Sequence, residues 1–170
     1  MLKLSSRAAL AATLAAIALP GAAQAVVGPD AAACARGGGP TGSAILVNVN
    51  GFRARSGTVR INVYGGDAAR FLGRGQYVRQ VNLPVARSGP MAICVAVPAA
   101  GRYAVAVRHD LDGNGRSGWS DGGGFSRNPR VSLMNLRPSY ESVAFNVTRG
   151  VAGVNVTLLY RYGLSIRPAA

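Results

Sequence analysis

The segment RHDLDGNGRSGWSDGGGF, which begins at Arg108, contains most of the side chains in this sequence that could do chemistry. Oxygen-bearing side chains stand at positions 1, 3, 5 and 12 of a twelve-residue window within it, namely Asp110, Asp112, Asn114 and Asp121. Glycine, here Gly115, occupies position 6, where a calcium loop needs a sharp turn. This spacing predicts a calcium site of weak affinity, in the range of extracellular modules, and calcium is the one cofactor that the sequence suggests.

A second interpretation of the same segment stays open. The aspartate at position 12 is shorter than the glutamate that usually reaches back to the ion, and no helices are predicted on either side. Aspartate and asparagine side chains also accept hydrogen bonds from their own backbone in tight turns, and Asn-Gly readily adopts positive φ. The segment then forms a polar turn that binds no metal.

His109 is the only histidine in the chain, and it precedes Asp110. A histidine beside a carboxylate can act as a general base or a metal ligand. By strand alternation, however, its side chain follows the inward-facing Tyr103, Val105 and Val107, which favours a structural role at the edge of the core. His109 and Asp110 are therefore the weak catalytic candidates of a hydrolase hypothesis, and no other catalytic residue is predicted.

An aromatic side chain lies among arginines within and just after the candidate calcium window. Trp119, together with Arg116, Arg127 and Arg130, is predicted to form a ledge for a sugar or an anionic headgroup. The alternative is that Trp119 only packs the surrounding loop onto the rest of the protein.

The overall charge points to anionic partners. After removal of a signal segment that includes Lys3 and Arg7, 17 basic residues remain against 6 acidic ones, a formal charge of +11, and all 17 are arginine. This balance favours an anionic glycan or an anionic membrane surface. Nucleic acid is not expected, because no arginine run with interleaved aromatic residues is found.

The N-terminus predicts export. Residues 1–25 contain a basic start, the apolar run AALAATLAAIAL and a small-x-small cleavage signal that ends at Ala25, which together are typical of a secretory signal peptide. We expect the mature protein in the periplasm or outside the cell, and no later apolar run approaches transmembrane length. In that oxidising compartment the only two cysteines, Cys34 and Cys94, are expected to form a disulfide.

Strand alternation dominates the chain after the signal segment. Seven segments alternate apolar and polar residues between turn residues, as in TVRINVYGG and RYAVAVRH, which predicts a single all-β domain: an antiparallel two-sheet sandwich of about seven strands, immunoglobulin-like or transthyretin-like. The predicted organisation is a Gly-rich segment over 26–42, the sandwich over 43–162 and a tail over 163–170. A long loop over 110–139 is expected to be ordered.

Several motifs in the second half resemble those of a bacterial family. The segments GRYAVAVRHDLDGNGRSGW, GGGFSRNPR and PSYESVAFNV, in this order, resemble the family known as domain of unknown function 2141 over roughly residues 43–162. The resemblance implies a small exported β-sandwich protein and no established activity. The sequence therefore predicts an exported binding module, with a hydrolase centred on His109 and a purely structural cell-envelope protein as alternatives. Its oligomeric state is not predicted.

Overall fold

The computed structural model describes residues 24–169, so the predicted signal peptide lies outside the described residues except for its last two positions. The described chain is mostly β-structure. Its elements in chain order are β1 (Val26–Val27), α1 (Ala31–Ala35), β2 (Ser43–Asn50), β3 (Thr58–Tyr64), a 3-10 helix (Ala68–Arg70), β4 (Arg79–Pro84), β5 (Met91–Ala96), β6 (Gly101–Asp110), β7 (Gly122–Phe125), α2 (Tyr140–Val143), β8 (Phe145–Val147), β9 (Gly150–Thr157), β10 (Leu159–Tyr162) and β11 (Ser165–Pro168).

The strands form two open sheets. The first has the order β1-β5-β2-β9, and the second has the order β11-β10-β7-β6-β3-β4, with β8 paired separately to β6. Pairing is mostly antiparallel, and the exceptions among the described strands are β1 with β5 and β2 with β9. The prediction of a mostly antiparallel all-β domain is thus confirmed.

One apolar cluster contains residues of both sheets. Val47 of β2, Ile61 of β3 and Val105 of β6 are each fully buried in it. In each of these strands, buried apolar residues recur at every second position around the named residue. This is the pattern of a half-buried strand, because successive side chains point to opposite faces. Burying each such side chain contributes about 1.5–3 kcal/mol. The alternation in the sequence therefore identifies the core correctly.

The segment from Val154 to Tyr160 is not the single strand that its alternation predicts. β9 pairs with β2 in the first sheet, whereas β10 pairs with β7 and β11 in the second. The chain changes sheet at Leu158, whose backbone N–H donates to the Asn50 carbonyl oxygen. Val154, Val156, Leu158 and Tyr160 are nevertheless all buried in the same cluster. Alternation continues across the change of sheet because both strands turn these side chains to the same apolar region.

Part of the predicted long loop is a strand made mainly of glycine. β7 lies between β6 and β10. A Cβ atom at Gly122 would stand 2.4 Å from the Tyr160 ring, and one at Gly124 would stand 2.7 Å from the Thr157 carbonyl oxygen. The glycines of this run thus allow close internal packing. The predicted C-terminal tail also contains a strand, since β11 pairs with β10.

A disulfide joins the N-terminal segment to the first sheet, as predicted. Cys34 lies in α1 and Cys94 in β5, with their Cα atoms 6.0 Å apart. Closing a loop of 60 residues stabilises the fold by about 4 kcal/mol in the chain-entropy account.

Within residues 24–169, no helix combines the length and the apolar character needed to cross a membrane.

Candidate functional site

The predicted calcium window is the connection between two paired strands. β6 ends at Asp110 and β7 begins at Gly122, directly after Asp121, and the two strands are antiparallel, with His109 opposite Gly122. Asp110 and Asp121 therefore lie at the two ends of a hairpin loop, where the strand pairing brings them together. This arrangement does not depend on flanking helices.

Three carboxylates converge in this loop. One oxygen atom from each of Asp110, Asp112 and Asp121 lies within 4.8 Å of the other two. Oxygens bound to one calcium ion lie about 2.3–2.6 Å from it, so any two of them are at most roughly 5 Å apart. The spacing of these three oxygens fits a common centre. The hairpin also compensates for the short side chain at position 12, because Asp121 does not have to reach across the loop.

Backbone amides hold the two more accessible carboxylates in place. Asp121 accepts from the N–H groups of Leu111 at 3.1 Å and Gly118 at 2.8 Å. Asp112 accepts from the Asn114 N–H at 3.2 Å and the Asn114 side-chain amide at 2.6 Å. Each of these oxygens still has unused acceptor capacity, since a carboxylate oxygen can accept more than one bond.

The fourth predicted ligand, Asn114, takes part in the loop's own hydrogen bonds. Its Oδ1 accepts from the Arg116 backbone N–H at 2.7 Å. Two glycines on either side of Asn114 adopt left-handed backbone conformations, with φ of 70° at Gly113 and 76° at Gly115. Such values favour glycine, and they let the loop fold back on itself so that its polar side chains stay near one another.

Asp110 is the most buried member of the group, with a residue exposure of 2%. Its Oδ2 accepts from the Gly115 N–H at 2.8 Å and from the Arg108 guanidinium at 3.2 Å. Its Oδ1 is buried and has no hydrogen-bond partner among the described residues. A buried carboxylate oxygen without a partner is costly, and a bound cation would offset that cost.

Arg108 was not predicted as part of this site. It lies two residues before Asp110 on the same face of β6, and its guanidinium also donates to the Gly115 carbonyl oxygen at 3.0 Å and to Ser117 Oγ at 3.1 Å. Its Nε, like Asp110 Oδ1, is buried without a partner in the described structure. One guanidinium against three carboxylates leaves a formal charge of −2 at the centre of the loop, which suits a divalent cation.

His109 points away from this site into the core. It is fully buried, and its Nε2 donates to the Ser56 carbonyl oxygen at 2.9 Å, so that Nδ1 accepts from the Tyr160 hydroxyl at 2.7 Å. Tyr160 in turn accepts from the Arg53 N–H at 3.1 Å, and burial raises the pKa of its phenol. Both ring nitrogens are thus engaged inside the protein, as in a structural histidine. Asp110 lies on the opposite face of the strand. The hydrolase hypothesis stays a prediction that this geometry does not favour.

The predicted aromatic ledge is only partly assembled. Trp119 is 75% exposed, and the guanidinium that lies over its ring, 3.7 Å from the centroid, belongs to Arg161. Arg127 instead donates to carbonyl oxygens at the end of α2, including that of Ala144 at 3.2 Å. Arg130 is exposed beside a second cavity, one whose lining does not include Trp119. Arg161 could not be found from the sequence because it reaches Trp119 only through the pairing of β10 with β7.

A groove of about 210 Å³ runs from Trp119 along the second sheet. Its walls include Trp119, Asp121, Leu136, Arg161 and Ile166. Asp121 therefore belongs both to the carboxylate group and to this groove, so the two features adjoin each other.

Comparison with known proteins identifies a family and nothing more specific. Searches of curated proteins and of solved structures found no match. A family model described as an uncharacterized protein conserved in bacteria, DUF2141, matches residues 47–155, which is more than half of the chain and includes the whole hairpin loop. The resemblance seen in the sequence is thereby confirmed, and the chain belongs to the DUF2141 family of uncharacterized bacterial proteins.

Proposed function

We propose that this protein is an exported binding module whose β6–β7 loop binds a calcium ion. The observation that carries this proposal is the buried Asp110 Oδ1, which has no partner among the described residues although it belongs to a group of three converging carboxylates. Burial without a partner is a cost that a purely structural turn would have no reason to keep.

The carboxylates of Asp110, Asp112 and Asp121 would hold the ion, and Asn114, whose side-chain amide contacts Asp112, would complete the oxygen set. All are hard oxygen ligands, which calcium prefers, and no histidine or cysteine side chain is part of the group. The ion would hold the two ends of the hairpin loop together. Since Trp119 stands two residues before Asp121, calcium would also stiffen the edge of the adjoining groove.

Two features support export and the sandwich type of fold. The disulfide between Cys34 and Cys94 is typical of proteins from oxidising compartments. The single apolar cluster that contains residues of both sheets is the core expected when two sheets pack face to face, in an immunoglobulin-like or transthyretin-like sandwich. We infer that the signal segment is removed after Ala25 and that the module works in the periplasm or outside the cell.

Calcium binding is tested directly by luminescence and by thermal stability. Terbium, which takes the same oxygen ligands, should luminesce on excitation of Trp119, the only tryptophan in the chain, and calcium should displace it. For a dissociation constant of about 0.1 mM, roughly 10 mM calcium is a hundredfold excess and stabilises by about 2.7 kcal/mol. The melting temperature should then rise by roughly 5–10 °C relative to a sample in chelator.

Charge-removing variants locate the ion. Asp112→Asn and Asp121→Asn keep the size of each side chain and should each reduce terbium luminescence and the calcium-induced shift. Asp67→Asn is the matched control, because Asp67 is an exposed aspartate outside this loop. Its side chain caps the 3-10 helix. Unchanged melting in calcium, together with terbium signals equal in all variants, would show that the loop is a polar turn held by Arg108 and by its own hydrogen bonds. That result would favour the purely structural envelope protein.

A further inference from the structure

The most exposed large apolar side chains of the described chain belong to segments that line one groove. Met134 lies between the lining residues Leu133 and Leu136, and Leu164 lies between the lining residues Arg161 and Ile166. Met134 is 98% exposed, Leu164 87%, Trp119 75% and Leu136 52%, whereas the other exposed large apolar residues, Val26, Val78 and Val151, are each less than half exposed. Trp119 and Leu136 line the groove beside Asp121. We call Trp119, Met134, Leu136 and Leu164 the apolar patch.

Two members of the apolar patch stand at the tips of turns. Ser132 and Asn135 exchange backbone hydrogen bonds of 3.2 and 3.0 Å, so Met134 lies at the end of the turn between them. Leu164 lies in the turn of the β10–β11 hairpin, next to the paired residues Tyr162 and Ser165. Turn tips usually carry polar residues or glycine. Large apolar side chains here contribute nothing to the core, so folding does not explain them.

The surroundings of the apolar patch are basic. Segments 111–136 and 159–168, which supply residues that line the groove, contain five arginines; Arg127 is held at the end of α2, which leaves four arginines against two aspartates. The Arg161 guanidinium covers one face of the Trp119 ring, and that of Arg167 lies 4.0 Å from the centroid of the Tyr162 ring. These guanidinium groups stack on aromatic rings next to the protruding apolar side chains. Positive charge would therefore stand at the headgroup level when the apolar side chains enter an apolar phase.

We propose that the apolar patch docks this protein on the surface of a membrane that contains anionic lipids. Protruding apolar tips enter the acyl boundary, tryptophan prefers the interface, and arginines attract anionic headgroups. An anionic membrane surface is thus the proposed partner of the binding module. This docking proposal rests on the proposed export of the protein, but it does not depend on the calcium site.

A glycan is a poorer match for the same groove. Sugar recognition needs several free hydrogen-bonding side chains, and the charged side chains that line the groove are those of Asp121 and Arg161. Two such side chains are too few for the several hydroxyl groups of a sugar, and Arg161 Nε already donates to the Gly163 carbonyl oxygen at 2.8 Å. The apolar side chains also project outward from turns instead of forming a closed pocket.

Trp119 provides the test, because the only tryptophan of the chain belongs to the apolar patch. The protein is purified after export, its N-terminus is determined by mass spectrometry, and it is mixed with vesicles of phosphatidylcholine alone or with phosphatidylglycerol added. Anionic vesicles should shift tryptophan emission to the blue, and lipids brominated on their acyl chains should quench it. Binding through any other part of the chain would not produce this quenching.

Variants at the turn tips complete the test. Leu164→Asp and Met134→Asp should each weaken vesicle partitioning about tenfold or more while leaving the melting temperature unchanged, because a large apolar side chain is lost from the apolar phase and not from the core. Val78→Asp, at an exposed residue that lines a different cavity, is the matched control and should bind as the unmodified protein does.

Four results would overturn the proposal. Vesicle binding without quenching of Trp119, or unchanged binding of Leu164→Asp, would mean that the apolar patch is not inserted. The same emission shift with soluble heparin would identify a polyanionic glycan instead, and a concentration-dependent shift without vesicles would identify a second copy of the chain. Repeating the measurement in chelator separates the two proposals, because docking is expected to persist when the loop holds no calcium.

Discussion

Replacing Tyr160 with phenylalanine isolates the role of the buried His109. The hydroxyl of Tyr160 is the partner of His109 Nδ1 at 2.7 Å and accepts from the Arg53 N–H at 3.1 Å. Tyr160→Phe keeps the ring, which packs in the apolar cluster and against Gly122, and removes only the oxygen. The variant therefore leaves one buried acceptor and one backbone donor without partners.

The size of the effect follows from these two groups. His109 is fully buried, so an unsatisfied Nδ1 costs about 1–3 kcal/mol, and the partly buried Arg53 amide adds about 1 kcal/mol. The expected loss is about 2–4 kcal/mol, which lowers the melting temperature of a domain of this size by roughly 5–12 °C. Since natural domains are stable by about 5–15 kcal/mol, the variant should still fold.

Tyr162→Phe provides the comparison, and urea unfolding provides the measurement. Tyr162 lies two residues further along β10, is only partly buried, and has the Arg53 and Arg167 guanidinium groups near its ring, contacts that phenylalanine keeps. Its substitution should change the free energy of unfolding by less than about 0.5 kcal/mol. Equal destabilisation by the two substitutions would refute the structural role of His109 and return it to the list of catalytic candidates.

Two further predictions concern the neighbourhood of Tyr160 and the buried tyrosines. Gly122→Ala should destabilise the fold by about 1–3 kcal/mol in urea unfolding, because the new Cβ would meet the Tyr160 ring at 2.4 Å. Gly123→Ala should be nearly neutral, because the nearest neighbour of its Cβ is 3.8 Å away. Similar losses for both variants would contradict the packing argument. Burial raises the pKa of Tyr64, Tyr140 and Tyr160 above 10.0, so these tyrosines ionise in the unfolded chain before they ionise in the folded protein. Their contribution to stability is therefore full below about pH 10 and is lost as the pH rises through the folded-state pKa values. The urea midpoint should therefore fall above about pH 10, and a rise there would contradict this assignment.

The alternation of apolar and polar residues along the sequence predicts which side chains form the core. At Val59, Ile61 and Val63 of β3, as at Ile45, Val47 and Val49 of β2, the structure has a strand with the alternating apolar residues fully buried. The inward position of His109 followed from the same rule, because it continues the phase of Val105 and Val107. These features depend only on the backbone geometry of a strand, which is local, so a single sequence contains enough information to specify them.

Features that depend on distant partners could not be predicted in this way. β7 is almost entirely glycine, which has little strand preference of its own, and it forms because β6 and β10 lie on its two sides. The change of sheet at Leu158 does not disturb alternation and so leaves no trace in the pattern. The contact of Arg161 with Trp119 depends on both facts, whereas proximity in sequence points to Arg116, Arg127 and Arg130.

The structure of the candidate calcium loop depends both on its own sequence and on the pairing of the strands around it. For this reason its sequence allows two interpretations. Spacing alone fixes the Asp112–Asn114 turn, which would form with or without an ion. The approach of Asp121 to Asp110 is set by the β6–β7 pairing, and the charged partner of Asp110 Oδ2 is Arg108 from the same strand. Arg108 already supplies one positive charge to the group, so a calcium ion gains less there than in a site with no internal cation. Weak affinity, suited to the calcium concentrations found outside cells, is therefore what the electrostatics of this loop favour.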